Sequence, residues 1–385
     1  MYNVVILGIV SLLTDISTEM VYPLLPIFLT SSLGASPAIV GIIEGIAESL
    51  ASLLKVFSGY IGDQTSRKKE LAIVGYGGSF LGKAVLLLAG SWGMVLLARM
   101  TDRLGKGIRT APRDALIADA ADPKARGRAF GLHRALDTLG ATVGVAIAYL
   151  LLTGSVATSN ETFKRIFLLS MIPAMLGVLA LFLVRQPRAA REGRKSLSFS
   201  WRKLNGKLKA FLILAFIFTL GNSSNQFLLL KASYLGASVP TVLLMYLVYN
   251  LSYGALSYPA GRFSDKIGRK RVLVAGYLIY ALVYFAFARV SEAANLWLLF
   301  IVYGFYIAFT HGVEKALLAD IAPADLRGTV LGLHATLVGA ALLPAYLIAG
   351  FLWDWLGASA PFYFGSIMGL LAALGLVYIF RDETL

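Results

Sequence analysis

The chain has 385 residues, 58% of them apolar and only 15% charged, with a mean hydropathy of +0.74. A soluble domain of this length would need far more charge to cover its surface, so a water-soluble globular fold is excluded. The formal net charge is +14, and with no cysteine there are no disulfides, thiolate metal ligands or catalytic thiol.

Twelve apolar segments are each long enough to cross ~30 Å of hydrocarbon. They are predicted at 4–30, 38–61, 71–90, 92–113, 127–152, 163–184, 210–231, 239–260, 272–289, 295–318, 327–353 and 360–380. No basic leader or clear cleavage site precedes the first, so it is expected to be a retained helix. It carries Asp15 and Glu19, an i, i+4 pair on one face. In the second span Glu44, Glu48 and Lys55 fall within roughly 40° of one another at 100° per residue. A loop follows, with Gly59, Asp63, Arg67, Lys68 and Lys69. The third span has Lys83 alone, which is expected to pair locally or snorkel. The fourth carries Arg99, Asp102, Arg103, Lys106 and Arg109, with the basic members in a skewed stripe. Asp119 and Arg126 follow it, and Arg134 and Asp137 enter the fifth span. A dense basic segment, 185–209, joins residues 1–184 to residues 210–385.

In the seventh span Gly221, Asn222, Asn225 and Gln226 mark a polar break where a helix could unwind. The eighth aligns Tyr246, Tyr249, Asn250 and Tyr253 on one side, and Gly261, Asp265 and Arg269 follow it. His311, Glu314 and Lys315 lie in the tenth, with Asp320 and Arg327 beyond. The sixth, ninth and twelfth spans hold no interior ionisable residue, and with the third they are expected to be lipid-facing supports.

Three separate matches reveal a tandem duplication. Gly59, Asp63, Arg67 and Lys68 recur as Gly261, Asp265, Arg269 and Lys270, and Leu33-Gly-Ala-Ser36 recurs as Leu235-Gly-Ala-Ser238, both 202 positions on. Asp119, Arg126 and His133 recur as Asp320, Arg327 and His334 at an offset of 201. Aligned positions diverge in charge, since Glu44, Glu48 and Lys55 correspond to Tyr246, Asn250 and Ser257. Basic residues crowd the loops on one side, and Lys164, Arg165, Lys231 and Arg289 are those of the other. That asymmetry places both termini and the central linker in the cytoplasm, and reports membrane topology and anionic-lipid contact rather than nucleic-acid binding.

Two six-helix halves, a basic linker and duplicated Gly-x-x-x-Asp…Arg-Lys loops resemble the major facilitator superfamily of secondary transporters. The resemblance spans the chain, although Gln64 stands where the first loop usually has a basic residue. Arg103-Leu-Gly-Lys106-Gly107 is similar to the family's fourth-helix Arg-x-x-Gln-Gly element, with Lys in place of Gln. Gly140-Ala-Thr-Val-Gly144 matches the antiporter-associated motif only in part, because its proline is missing. The resemblance implies twelve helices in two pseudo-symmetric bundles, with the remaining eight spans lining a central path.

The expected function is secondary active transport of a small solute across the cytoplasmic membrane by alternating access, as a monomer in contact with lipid. Proton-coupled efflux of small organic molecules is the leading expectation. Asp15, Glu19, Glu44 and Glu48 are the proton-coupling candidates, since a carboxylate in a low-dielectric cavity can gain and lose its proton as solvent access changes. Arg103, Lys106, Asn222, Gln226, Tyr249, Asn250, Tyr253 and His311 are the substrate-binding candidates. Gly59, Asp63, Arg67, Asp119 and Arg126, with Gly261, Asp265, Arg269, Asp320 and Arg327, form the expected conformational latch. Transport of an anion, for which Arg99, Arg103, Lys106 and Arg109 would supply charge, is an alternative, and a metal ion a more distant one. A receptor or scaffold is the non-transport alternative. With no nucleotide-binding loop and no catalytic constellation, neither a cofactor nor an enzymatic activity is expected.

Overall fold

The computed structural model describes residues 2–65, 67–122, 126–153, 159–185, 204–323 and 326–381. Linker residues 186–203, including Trp201, lie outside this set, as do the side chains of Asp63, Arg126 and Arg327.

Among the described residues the chain is helical throughout. In chain order come α1 (Tyr2–Val21), a 3-10 turn (Tyr22–Leu24), the single turn α2 (Leu25–Ile27) and a π-turn (Phe28–Ser32). Then follow α3 (Pro37–Thr65), α4 (Lys68–Leu87), α5 (Trp92–Ala120), α6 (Arg126–Thr153) and α7 (Asn160–Leu181). The second half supplies α8 (Gly206–Gly221), α9 (Asn225–Tyr234), α10 (Val239–Ile267), α11 (Arg269–Arg289), α12 (Leu296–Ile321), α13 (Arg327–Leu356) and α14 (Ala360–Ile379). Among the described residues, eleven helical stretches are long and apolar enough to span a membrane. The twelfth expected span, 92–113, belongs to α5, whose charges depress its hydropathy although it runs unbroken for 29 residues through Pro112.

The helices outrun the apolar segments because hydrophobicity limits the buried part of a helix, whereas capping decides where it begins. Ser91, Ser159 and Ser238 each accept the N–H three residues on, at the starts of α5, α7 and α10. Asn205 Oδ1 accepts the Leu208 N–H at 2.7 Å, so α8 opens at Gly206, four residues ahead of the expected boundary at 210. Gly268, with φ 97°, both ends α10 and precedes α11, a conformation that only glycine adopts freely.

The chain divides into two compact units, Met1–Ala35 with Ile46–Ser196, and Ser36–Gly45 with Leu197–Leu385. The opening turns of α3 therefore fall in the second unit, not in the expected 1–184 bundle. Their glycines explain it: a Cβ at Gly45 would lie 3.2 Å from the Leu343 backbone, and one at Gly350 would lie 2.7 Å from Ala38 Cα.

In the first unit α4 packs on α5 and α7, and α1 on α6 and α7. A Cβ at Gly75 would meet the Gly105 carbonyl at 2.6 Å, and one at Gly82 the Asp102 N–H at 2.8 Å, so α4 and α5 touch backbone to backbone. Gly140 and Gly144 similarly admit Leu12 and Ile16 of α1, which gives the partial antiporter motif a packing role. In the second unit α10 packs on α12, and α11 on α12 and α14. Outward faces are apolar, with Leu81 of α4, Leu179 of α7, Leu282 of α11 and Leu374 of α14 all more than half exposed. These four helices are the expected lipid-facing supports.

Candidate functional site

The charges of the first unit form a chain rather than a stripe. Arg103 Nε lies 2.7 Å from Glu48 Oε1, and Arg99 approaches the same oxygen at 3.9 Å. Both guanidinium groups also reach Asp102 Oδ2, each at 3.5 Å. Arg99, Asp102 and Arg103 are buried, while the Glu48 side chain keeps 23% exposure. Each member of this chain thus faces an opposite charge, as burial away from bulk water requires. Arg109, six residues beyond Arg103, is held by other partners. Its guanidinium stacks 4.4 Å over the Tyr76 ring and bonds to Ser79 Oγ. Three of the four basic residues expected to attract an anion are therefore engaged within the unit, and Lys106 is the exposed one.

Asp15 and Glu19 are half-buried on α1. Asp15 lies within electrostatic reach of Asp137 on α6 and Lys106 on α5. Glu44 is 1% exposed and belongs to the segment that packs with the second unit. The four candidate carboxylates thus occupy different environments, and Glu48 combines partial exposure with an ion pair to buried Arg103.

The second unit replaces this charge with aromatic and amide groups. Residues 222–224 leave the helix between α8 and α9, as the polar run suggests, and Ser224 Oγ caps α9 by accepting the Gln226 N–H at 3.2 Å. Tyrosines satisfy the groups freed by the break. Tyr280 donates to the Gly221 carbonyl at 2.8 Å, Tyr303 to Asn225 Oδ1 at 2.9 Å, and the Tyr284 hydroxyl lies 2.9 Å from Ser223 Oγ. Asn222 donates to the Tyr306 hydroxyl at 3.2 Å. Tyr249 stacks between Tyr246 and Tyr303 with centroids 5.6 and 5.2 Å away, and Asn225 Nδ2 reaches its hydroxyl at 3.5 Å. Gln226 is fully enclosed and, among the described residues, neither side-chain amide atom has a hydrogen-bond partner. Asn250 donates to the Tyr246 carbonyl of its own helix at 3.2 Å, and Tyr253 is half-buried beside it. His311 is exposed at some distance along α12, where Glu314 instead meets His334 Nε2 at 2.7 Å.

At the helix ends Lys68 Nζ holds Asp119 Oδ2 at 2.8 Å, and Arg269 holds Asp320 at 3.0 Å and Asp265 at 3.6 Å. The structure thereby shifts the expected correspondence by one residue. Lys68 and Arg269 each open their helix, α4 or α11, whereas Arg67 is the exposed N-cap that matches Gly268. The 202 offset of the loops gives way to the 201 offset of Asp119 and Asp320 at this point, and that change was the signal for Lys68. Lys69 and Lys270 follow the same register, capping the ends of the sixth and twelfth spans through the Phe182, Val184 and Phe380 carbonyls.

Two helical units, one lined with paired charge and one with tyrosine and amide, define a polytopic membrane transporter. The Major Facilitator Superfamily model matches residues 7–229 and 211–385, and the chain belongs to that family. It is 36% identical to an uncharacterised MFS-type transporter of Methanocaldococcus jannaschii, covering 98% of this chain and 94% of that one. It is 26% identical to the multidrug resistance protein MdtH of Escherichia coli, over 94% of this chain and 90% of that one. Among solved structures, a nucleoside transporter, NupG, superposes with a TM-score of 0.83 at 14% identity, covering 98% of this chain and 100% of that one. A D-xylose–proton symporter superposes with a TM-score of 0.76 at 18% identity, covering 97% and 96%. The family and these relatives are transporters, not enzymes.

Proposed function

We propose that the chain exports small organic molecules across the cytoplasmic membrane in exchange for protons, as a monomer working by alternating access with both termini in the cytoplasm. One observation carries this reading: Glu48 is partly exposed yet paired to buried arginines, while the corresponding face of the second unit is uncharged. A carboxylate held this way releases its arginine when it takes a proton, which links solvent access to helix packing. Asn222, Asn225 and Tyr253 keep partial exposure beside the buried tyrosines of the α8–α9 break, an uncharged polar and aromatic setting suited to organic solutes rather than ions. The resemblance to a multidrug resistance protein supports the outward direction. The anion alternative is weakened by the engagement of Arg99, Arg103 and Arg109.

The duplicated Lys68–Asp119 and Arg269–Asp320 pairs are read as the latch, made and broken as the transporter changes state. The test is transport in proteoliposomes with an imposed proton gradient, after a thermal-shift screen has found a ligand. Glu48→Gln should bind the ligand but lose gradient-driven accumulation. Intact accumulation would assign proton coupling to another group.

A further inference from the structure

Lys83 is an intramembrane ammonium on a support helix and is 5% exposed. Burying a charge this way is costly unless it is fully hydrogen-bonded. Among the described residues it makes no direct ion pair, and its side chain has one hydrogen bond, a long one of 3.4 Å to Thr18 Oγ1. Facing it from α5 are Arg99, Asp102, Arg103 and Arg109. Asp102 gives Oδ2 to both Arg99 and Arg103, but its Oδ1 is enclosed with no hydrogen-bond partner. An ammonium short of acceptors and a carboxylate oxygen short of a donor therefore line one space. That space is a cavity of about 20 Å³ bounded by Thr18, Tyr22, Lys83, Arg99 and Asp102 together with five apolar or small residues. A single water needs roughly 10–15 Å³ and two to four polar partners, and Thr18, Tyr22, Lys83 and Asp102 are polar residues of this lining.

We propose that this cavity holds one water bridging Lys83 Nζ to Asp102 Oδ1, and that Lys83 is thereby a positioning residue for the Glu48–Arg103 pair. The charge chain then runs Lys83, water, Asp102, Arg99 and Arg103, Glu48, from a support helix to the partly exposed carboxylate. Lys83 occupies part of Asp102, and the part left over decides how firmly the arginines are shared with Glu48. The duplication shows the same coupling built twice in different chemistry. Tyr284 and Tyr303 stand 201 positions after Lys83 and Asp102 with ring centroids 6.2 Å apart, and both serve the α8–α9 break. Charge in one unit and hydroxyl in the other connect a support helix to the interior.

The functional half of this proposal rests on Glu48 as the proton carrier. Charged groups facing Glu48 are Arg99, Asp102, Arg103 and Lys106 of α5. Glu44 lies one turn earlier on its own helix, and Asp15 of α1 shares Lys106. Removing the Lys83 charge leaves Asp102 free to compete for both arginines, so Glu48 keeps its proton to higher pH. Removing the Asp102 charge does the reverse.

The experiment is a double-substitution cycle on the full chain with Lys83→Met and Asp102→Asn, read in two ways. Thermal unfolding of the purified protein tests the bridge alone. Each single change should lower Tm by 5 °C or more, and the pair should unfold no lower than either single variant; additive losses would overturn the bridge. The pH profile of transport tests the positioning role. Its midpoint should move alkaline by about one pH unit in Lys83→Met, acid in Asp102→Asn, and return to near wild type in the pair. A midpoint unmoved by Lys83→Met, or moved the same way by both, would overturn it. If Lys83→Met does not fold, Lys83→Gln keeps a donor for the water without the charge and should shift the profile likewise. A flat profile in Glu48→Gln separates the two readings: it supports Glu48 as carrier, whereas a profile like that of wild type sinks the carrier assignment and leaves the unfolding cycle to judge the bridge.

Discussion

The 2.7 Å contact between Arg103 and Glu48 is the contact on which the first unit's chemistry turns. Arg103 is 4% exposed and shares its charge between two carboxylates on different helices. Arg103→Met leaves Glu48 and Asp102 facing each other with less positive charge between them, a loss of about 3 kcal/mol by analogy with other broken buried pairs. Transport should fall at least tenfold with the protein still present in the membrane, as checked by uptake against immunoblot. Undiminished transport would remove Arg103 from the pathway. The latch pairs are more exposed, and each is worth under about 1 kcal/mol in a static structure. Asp320→Asn should therefore slow turnover several-fold and leave KM within about threefold, because Arg269 retains Asp265 as a second partner. A KM changed tenfold at constant kcat would place Asp320 in substrate binding instead.

At the scale of elements, the α8–α9 break and the α4–α5 seam are the two places where local sequence choice sets the architecture. Ser224→Ala removes the cap on α9 and should cost about 1 kcal/mol, seen as a lower Tm without loss of insertion. Gly75→Leu forces a side chain where a Cβ already lies 2.6 Å from the Gly105 carbonyl, and should destabilise by about 1–3 kcal/mol or more and disturb Asp102. Much of this was legible in the sequence. The apolar periods located every span, and the run Asn222 to Gln226 announced the break, because five consecutive polar residues have no place in a lipid-facing helix. The irregular turns after Val21 were not legible, since Tyr22-Pro23 sits inside an otherwise apolar run. At the 202 offset Tyr22–Leu24 falls within two residues of the Asn222–Ser224 break, so the first and seventh spans are interrupted at nearby points. Lys68 was hidden by a one-residue change of offset. The tyrosine ring system of Tyr280, Tyr284, Tyr303 and Tyr306 was hidden for a different reason. Its members sit on α11 and α12, and only packing brings their hydroxyls to the break.

For the molecule as a whole, duplication gave two copies of one helical plan, and divergence gave them different interiors. The first unit keeps a chain of charges in which Glu48, Arg99, Asp102 and Arg103 neutralise one another. The second unit keeps the same helix order and carries tyrosine at the positions of Lys83 and Asp102. Family membership makes the chain a transporter, and under the proposed function the first unit responds to protons while the second meets the solute. Proton movement measured with an internal pH dye, in sealed proteoliposomes given a ligand on one side and no imposed gradient, tests that account most directly. An exchanger should acidify the compartment that loses the ligand, and Glu48→Gln should abolish the signal while ligand binding persists. Ligand movement with no proton signal, or a proton signal intact in Glu48→Gln, would contradict it.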